Sequence, residues 1–65
     1  MFITFDKHNV YIRGANGLIK TVKSIPEEIL DAVLQGNTIR ISTKKGILIY
    51  KQIGNSYNFS FYRRY

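Results

Sequence analysis

The sequence predicts a small α+β domain: a β-β-β-α-β-β-β antiparallel sheet, curled or half closed into a barrel, packed on one central helix. Three observations carry this prediction. Short runs rich in β-branched and aromatic residues recur along the chain, punctuated by Gly, Asn and Asp, the pattern of an antiparallel meander. The central stretch "SIPEEILDAVLQGN", Ser24 to Asn37, interrupts that pattern with helix signals. The 65 residues contain no linker or low-complexity segment, so residues 1–65 make one domain.

"FITF" is the first strand and "VYIR" the second, joined by the polar turn Asp6-Lys7-His8-Asn9. Gly14-Ala15-Asn16-Gly17 leads into "LIKTV", and Asn-Gly between apolar runs is a strong hairpin signal. In the predicted helix, Ser24 and Glu27 have capping-box spacing. Pro26 fits a first turn, where its missing N–H has no intrahelical partner. Glu27, Glu28 and Asp31 lie where the helix dipole favours negative charge. Ile29, Leu30, Val33 and Leu34 form an apolar stripe wide enough to lie on a sheet, and Gly36 or Asn37 ends the helix in the left-handed conformation. "TIRIS", "ILIYKQI" and "YNFSFYRR" complete the sheet, separated by Thr43-Lys44-Lys45-Gly46 and Gly54-Asn55-Ser56.

Strand alternation then assigns two faces. Val10 and Ile12, Ile39 and Ile41, Ile47 and Ile49, Phe59 and Phe61 are expected to point at the helix. Each such side chain contributes roughly 1.5–3 kcal/mol when buried. The opposite side carries Tyr11 and Arg13, Arg40 and Ser42, Tyr50 and Gln52, and Ser60, Tyr62 and Arg64. A domain this short has a marginal core, and without cysteine it has neither a disulfide nor a thiolate metal site to support it. Self-association through an edge strand, giving a homodimer, is one remedy.

The formal net charge is +6, from 10 Lys+Arg against 4 Asp+Glu. Three of the four acids fall between Ser24 and Asn37, which holds no base. A basic sheet opposite an acidic helix produces a positive potential suited to polyanions. The first functional expectation is therefore a non-enzymatic nucleic-acid-binding protein. Tyr11, Tyr50 and Tyr62 would stack bases, while Arg13, Arg40, Lys44, Lys45, Arg63 and Arg64 hold phosphates. Single-stranded DNA or RNA suits such a surface, because a duplex hides its base faces. Tyrosine and arginine are also ordinary residues of a solvated strand face. They are enriched at protein interfaces as well. The alternative is thus a small viral or mobile-element interaction module that binds and inhibits a host protein.

Catalysis has little to work with. His8 is the one histidine and falls in a turn, and the serines have no histidine–carboxylate partners at a triad's spacing. A minimal ribonuclease built on His8 with Lys and Arg has no supporting motif. "GANG" opens no helix and lacks the Gly-Lys-Ser/Thr of a phosphate loop. No cofactor or metal is expected. No apolar run reaches the length of a membrane span, and "MFITFDKHN" lacks the features of a signal peptide, so a cytoplasmic location is expected.

Overall fold

The computed structural model describes residues 1–65 and contains no helix. Seven strands occupy 69% of the chain, which makes it an all-β domain and corrects the α+β expectation. They are β1 (Phe2–Phe5), β2 (Asn9–Arg13), β3 (Ile19–Ser24), β4 (Ile29–Gln35), β5 (Thr38–Thr43), β6 (Gly46–Ile53) and β7 (Ser56–Arg64). Strands β1-β2-β3 form one antiparallel sheet and β4-β5-β6-β7 a second. The shortest dimension is 16 Å, the thickness of two sheets stacked about 10 Å apart. With no helix present, none is long and apolar enough to cross a membrane.

The segment predicted to be a helix, Ser24 to Asn37, is instead the end of β3, a crossover, strand β4 and a hairpin turn. Chain length explains the outcome. Between Pro26 and Gly36 a helix would span only ~14 Å, too short to be stable without packing. As an extended strand, β4 matches β5 from Gln35↔Thr38 to Ile29↔Thr43. Ala32 and Leu34 then lie opposite the buried Ile41 and Ile39. The ladder skips Leu30, which is 51% exposed. That bulge lets Ile29 share the inner face with Ala32 although they are three apart, a spacing that also fits a helix.

The terminal signals are reused. Gly36 has φ 59° and Asn37 follows it between paired Gln35 and Thr38. Glycine at the first of two turn residues belongs to a tight hairpin, not a helix end. Gly54-Asn55 repeats the device between β6 and β7. Pro26 sits in the crossover, where no ladder N–H is required of it. The Ser24 hydroxyl donates to Asn9 Oδ1 at 3.0 Å rather than capping anything.

The crossover is clamped to the β1–β2 turn. Ile25 N–H donates to the His8 carbonyl at 2.7 Å and Ile29 N–H to that of Lys7 at 2.8 Å. His8 Nδ1 lies 3.1 and 3.2 Å from the carbonyl oxygens of Ile25 and Glu27. Carbonyls only accept, so this nitrogen carries the proton. Glu28 pairs with Lys7 and Glu27 with Lys45, each at 3.7 Å. The two glutamates thus lie among the bases instead of forming an opposing helix face.

The core lies between the two sheets: Val10 and Ile12 from β2, Ile39 and Ile41 from β5, Leu48 from β6 and Tyr57 from β7, closed at one end by Ile25 and Ile29. The β2 and β5 assignments agree with the sequence pattern, whereas those for β6 and β7 do not. Ile41 pairs with Leu48 and Ile39 with Tyr50, so Leu48 and Tyr50 face inward and Ile47 and Ile49 outward. On β7 a bulge opposite Ile49/Tyr50 leaves Ser60 unpaired. Phe59 keeps to the inner side at the open rim, while Phe61 turns outward; they are 55% and 47% exposed. The accessible area of 4358 Å² is close to the ~4,300 Å² of a compact monomer of this mass. The exposed aromatics therefore belong to surfaces of a closed fold.

Candidate nucleic-acid interface

The nine residues expected on one binding face occupy separate places. Tyr11 and Arg13 lie on the outer side of the three-stranded sheet. The Tyr11 hydroxyl donates to Asp6 Oδ2, and the Arg13 guanidinium stands 5.9 Å from its ring centre. Arg13 also donates to Thr4 Oγ1 at 3.0 Å and to the Gly17 carbonyl at 2.9 Å. Foremost through the Tyr11 bond, and then the His8 amide, the Asp6 carboxyl is held below its usual range. The same bond raises the Tyr11 phenol. Tyr11 is thus committed to the β1–β2 hairpin, and Arg13 to β1 and the β2–β3 loop.

Tyr50 is on the inner side of the second sheet. Phe59 meets its ring edge-on, with centroids 5.7 Å apart, and Lys23 reaches across from the first sheet to place Nζ 6.0 Å from the ring centre. Burial pushes its phenol pKa up. Phe59 and Lys23 thus already occupy two approaches to this half-buried ring. Tyr62 and Arg64 share that inner side but lie at the exposed rim, opposite Leu48 and Gly46. Lys44 and Lys45 project from the β5–β6 turn, Lys45 toward Glu27. That turn is built on Thr43, whose buried Oγ1 donates to the Gly46 carbonyl at 3.0 Å. It also accepts the Lys45 and Gly46 amides, both at 3.2 Å.

Arg40 and Arg63 do share a surface, the outer face of β4-β5-β6-β7. The ladder aligns Val33, Arg40, Ile49 and Phe61 in one row across four strands. The next row toward the β5–β6 turn is Asp31, Ser42, Ile47 and Arg63, and the next on the other side is Gln35, Thr38, Lys51 and Asn58. Arg40, Lys51 and Arg63 therefore share a face with the half-exposed Phe61, Arg63 two residues along the same strand and Arg40 beyond Ile49, over a half-buried floor of Ile47 and Ile49. None of the three cations has an ion-pair partner; the two ion pairs of the chain are those of Lys7 and Lys45.

Sequence alternation placed Arg40 on an exposed face but missed Lys51 and Phe61. Lys51 is visible two positions beyond Ile49 once that isoleucine is known to face out. Phe61 depends on the β7 bulge, which leaves no local signal in the sequence. No group of three or more His, Asp and Glu side chains comes together anywhere in the chain. Comparisons with protein-family models, with characterised proteins and with solved structures find no match to this chain.

Proposed function

We propose that this protein is a non-enzymatic nucleic-acid-binding module acting in the cytoplasm, and that single strands lie across the outer face of β4-β5-β6-β7. The observation that carries the reading is the set of unpaired cations, Arg40, Lys51 and Arg63, on the same face as the exposed ring of Phe61. Cations that track a phosphate backbone beside an aromatic platform are what sequence-tolerant single-strand binding requires. Lys44, in the β5–β6 turn past the Arg63 end of this face, extends the positive track, whereas Arg64 alternates to the inner side. Of the expected stacking tyrosines none lies on this face: Tyr62 is exposed, but on the inner side opposite Leu48.

Fluorescence anisotropy of a labelled single-stranded oligonucleotide tests this directly. Three phosphate contacts give a slope of log affinity against log salt of about −2, and Arg40→Ala should flatten it by about 0.7. Phe61→Leu, which removes the ring but keeps an apolar side chain, should weaken binding roughly tenfold. Unchanged affinity in both variants would sink the proposal. A protein target is the second reading, favoured by β7. This nine-residue edge strand has β6 as its sole neighbour, and it exposes Phe59, Phe61 and Tyr62. Such an edge can pair with a host protein or with a second copy of the chain. Sedimentation of the wild type and of Phe59→Lys separates the self-paired case from the others.

A further inference from the structure

The geometry points to a second binding site, for a nucleotide-sized phosphate monoester, in the cleft between the open ends of the two sheets. It is independent of the outer face, since Gln52 and Tyr57, a cross-strand pair, lie on the inner side of β6 and β7. The cleft has a volume of about 460 Å³ and is bordered by Lys20 and Thr21 from β3 and by Gln52, Asn55 and Tyr57 from the β6–β7 hairpin. That volume lies within the range of small-molecule sites.

Two further observations give the cleft its chemistry. Tyr57 is 4% exposed, yet its hydroxyl finds no partner among the protein's donors and acceptors. A buried polar group left unpaired costs stability, so a phenol retained there has a use that phenylalanine lacks. The ladder also slips at Lys20. Ile12 pairs with Thr21 and Arg13 with Ile19, which leaves Lys20 as the extra residue of a bulge. Bulges re-aim side chains, and this one turns Lys20 from the row of Arg13 toward the cleft. Room for its stem comes from the buried Gly14: a Cβ there would lie 3.3 Å from Lys20 Cε. No carboxylate borders the cleft. A lysine ammonium with hydroxyl and amide donors, and no opposing acid, recognises a phosphate as a point charge; the Tyr57 phenol, closed off from solvent in the wall, joins these donors when the bound phosphate draws it out.

The head group has two sources, a free nucleotide or the 5′-phosphorylated end of a strand. Amide NMR titrations with adenosine 5′-monophosphate, adenosine, and a short oligonucleotide with and without its 5′-phosphate cover both. The expected result is saturable shifts at Lys20, Thr21, Asn55 and Tyr57 with one or both phosphorylated probes and not with their unphosphorylated forms. Tyr57→Phe and Lys20→Ala should each weaken binding by about tenfold. Tyr57→Phe should unfold at the same or higher urea concentration than wild type, which a merely structural tyrosine would not allow. Lys20 is exposed, so its variant tests the site without disturbing the core. Absence of saturable shifts at about 10 mM probe, shifts confined to the face of Arg40 and Phe61, or equal affinity in both variants would overturn the inference.

Discussion

Replacing Thr43 by valine changes one hydroxyl into a methyl group and should destabilise the protein by about 2 kcal/mol. Thr43 is 0% exposed, so by apolar area alone valine would be the better residue. Its Oγ1, however, serves two amides and one carbonyl of the turn that carries Lys44 and Lys45. Losing it strands the buried Gly46 N–H, at about 1–3 kcal/mol, and the half-buried Lys45 N–H at somewhat less. The added methyl returns about 0.8 kcal/mol. Thr43→Ser keeps the oxygen and loses one methyl, so it should cost only about 0.8 kcal/mol. For a chain this short, total stability is about 3–10 kcal/mol, and 2 kcal/mol lowers Tm by roughly 10 °C. Urea unfolding with an unchanged m-value reads the order wild type, Ser, Val. A valine variant as stable as wild type, or more stable than the serine variant, would refute the reasoning.

Gly46→Ala brings a Cβ against the Arg63 carbonyl oxygen and to 2.9 Å from both Arg64 Cα and the Tyr62 hydroxyl. It should cost about 1–3 kcal/mol and free the last residues of β7, seen as faster amide exchange at Tyr62 to Arg64. In acid, the lowered Asp6 pKa means that the folded state binds fewer protons than the unfolded one. The stability it contributes is present above the unfolded value of 3.8 and is lost as pH falls through the lower folded value. Tyr11→Phe removes the largest cause, so urea midpoints of variant and wild type should converge in acid. A gap that stays constant down to about pH 2 would show that Asp6 is not the linked group. At the alkaline end the Tyr11 contribution, present below 10.0, is lost as pH rises through its raised folded value.

Six of the seven strands were legible in the sequence, because alternation and Gly/Asn turns are local properties. Val10, Ile12, Ile39 and Ile41 could be assigned to the core for the same reason, since each is an isoleucine or valine two positions from another. Gly17, with φ 84°, ends the predicted Gly14–Gly17 hairpin loop in the left-handed region. The basic character of the exposed surfaces also followed from composition, as did Arg40 as an exposed cation.

Only the tertiary structure decided the rest. Ile29 to Gln35 carries apolar residues at spacings that serve a helix or a bulged strand equally well. Pairing with β5 and the crossover's bonds to Lys7 and His8 select the strand. "ILIYKQI" is apolar on both faces at its start, so its orientation comes from the register with Ile39 and Ile41 and not from alternation. The bulges at Lys20 and Ser60 re-aim Lys20 and Phe61, the residues on which the two candidate sites depend. A bulge is set by how two strands meet, and a one-residue slip exchanges the faces of every residue beyond it. The composition of this chain determined that it would be a basic, hairpin-rich domain. Strand pairing decided which of its cations and rings share a surface.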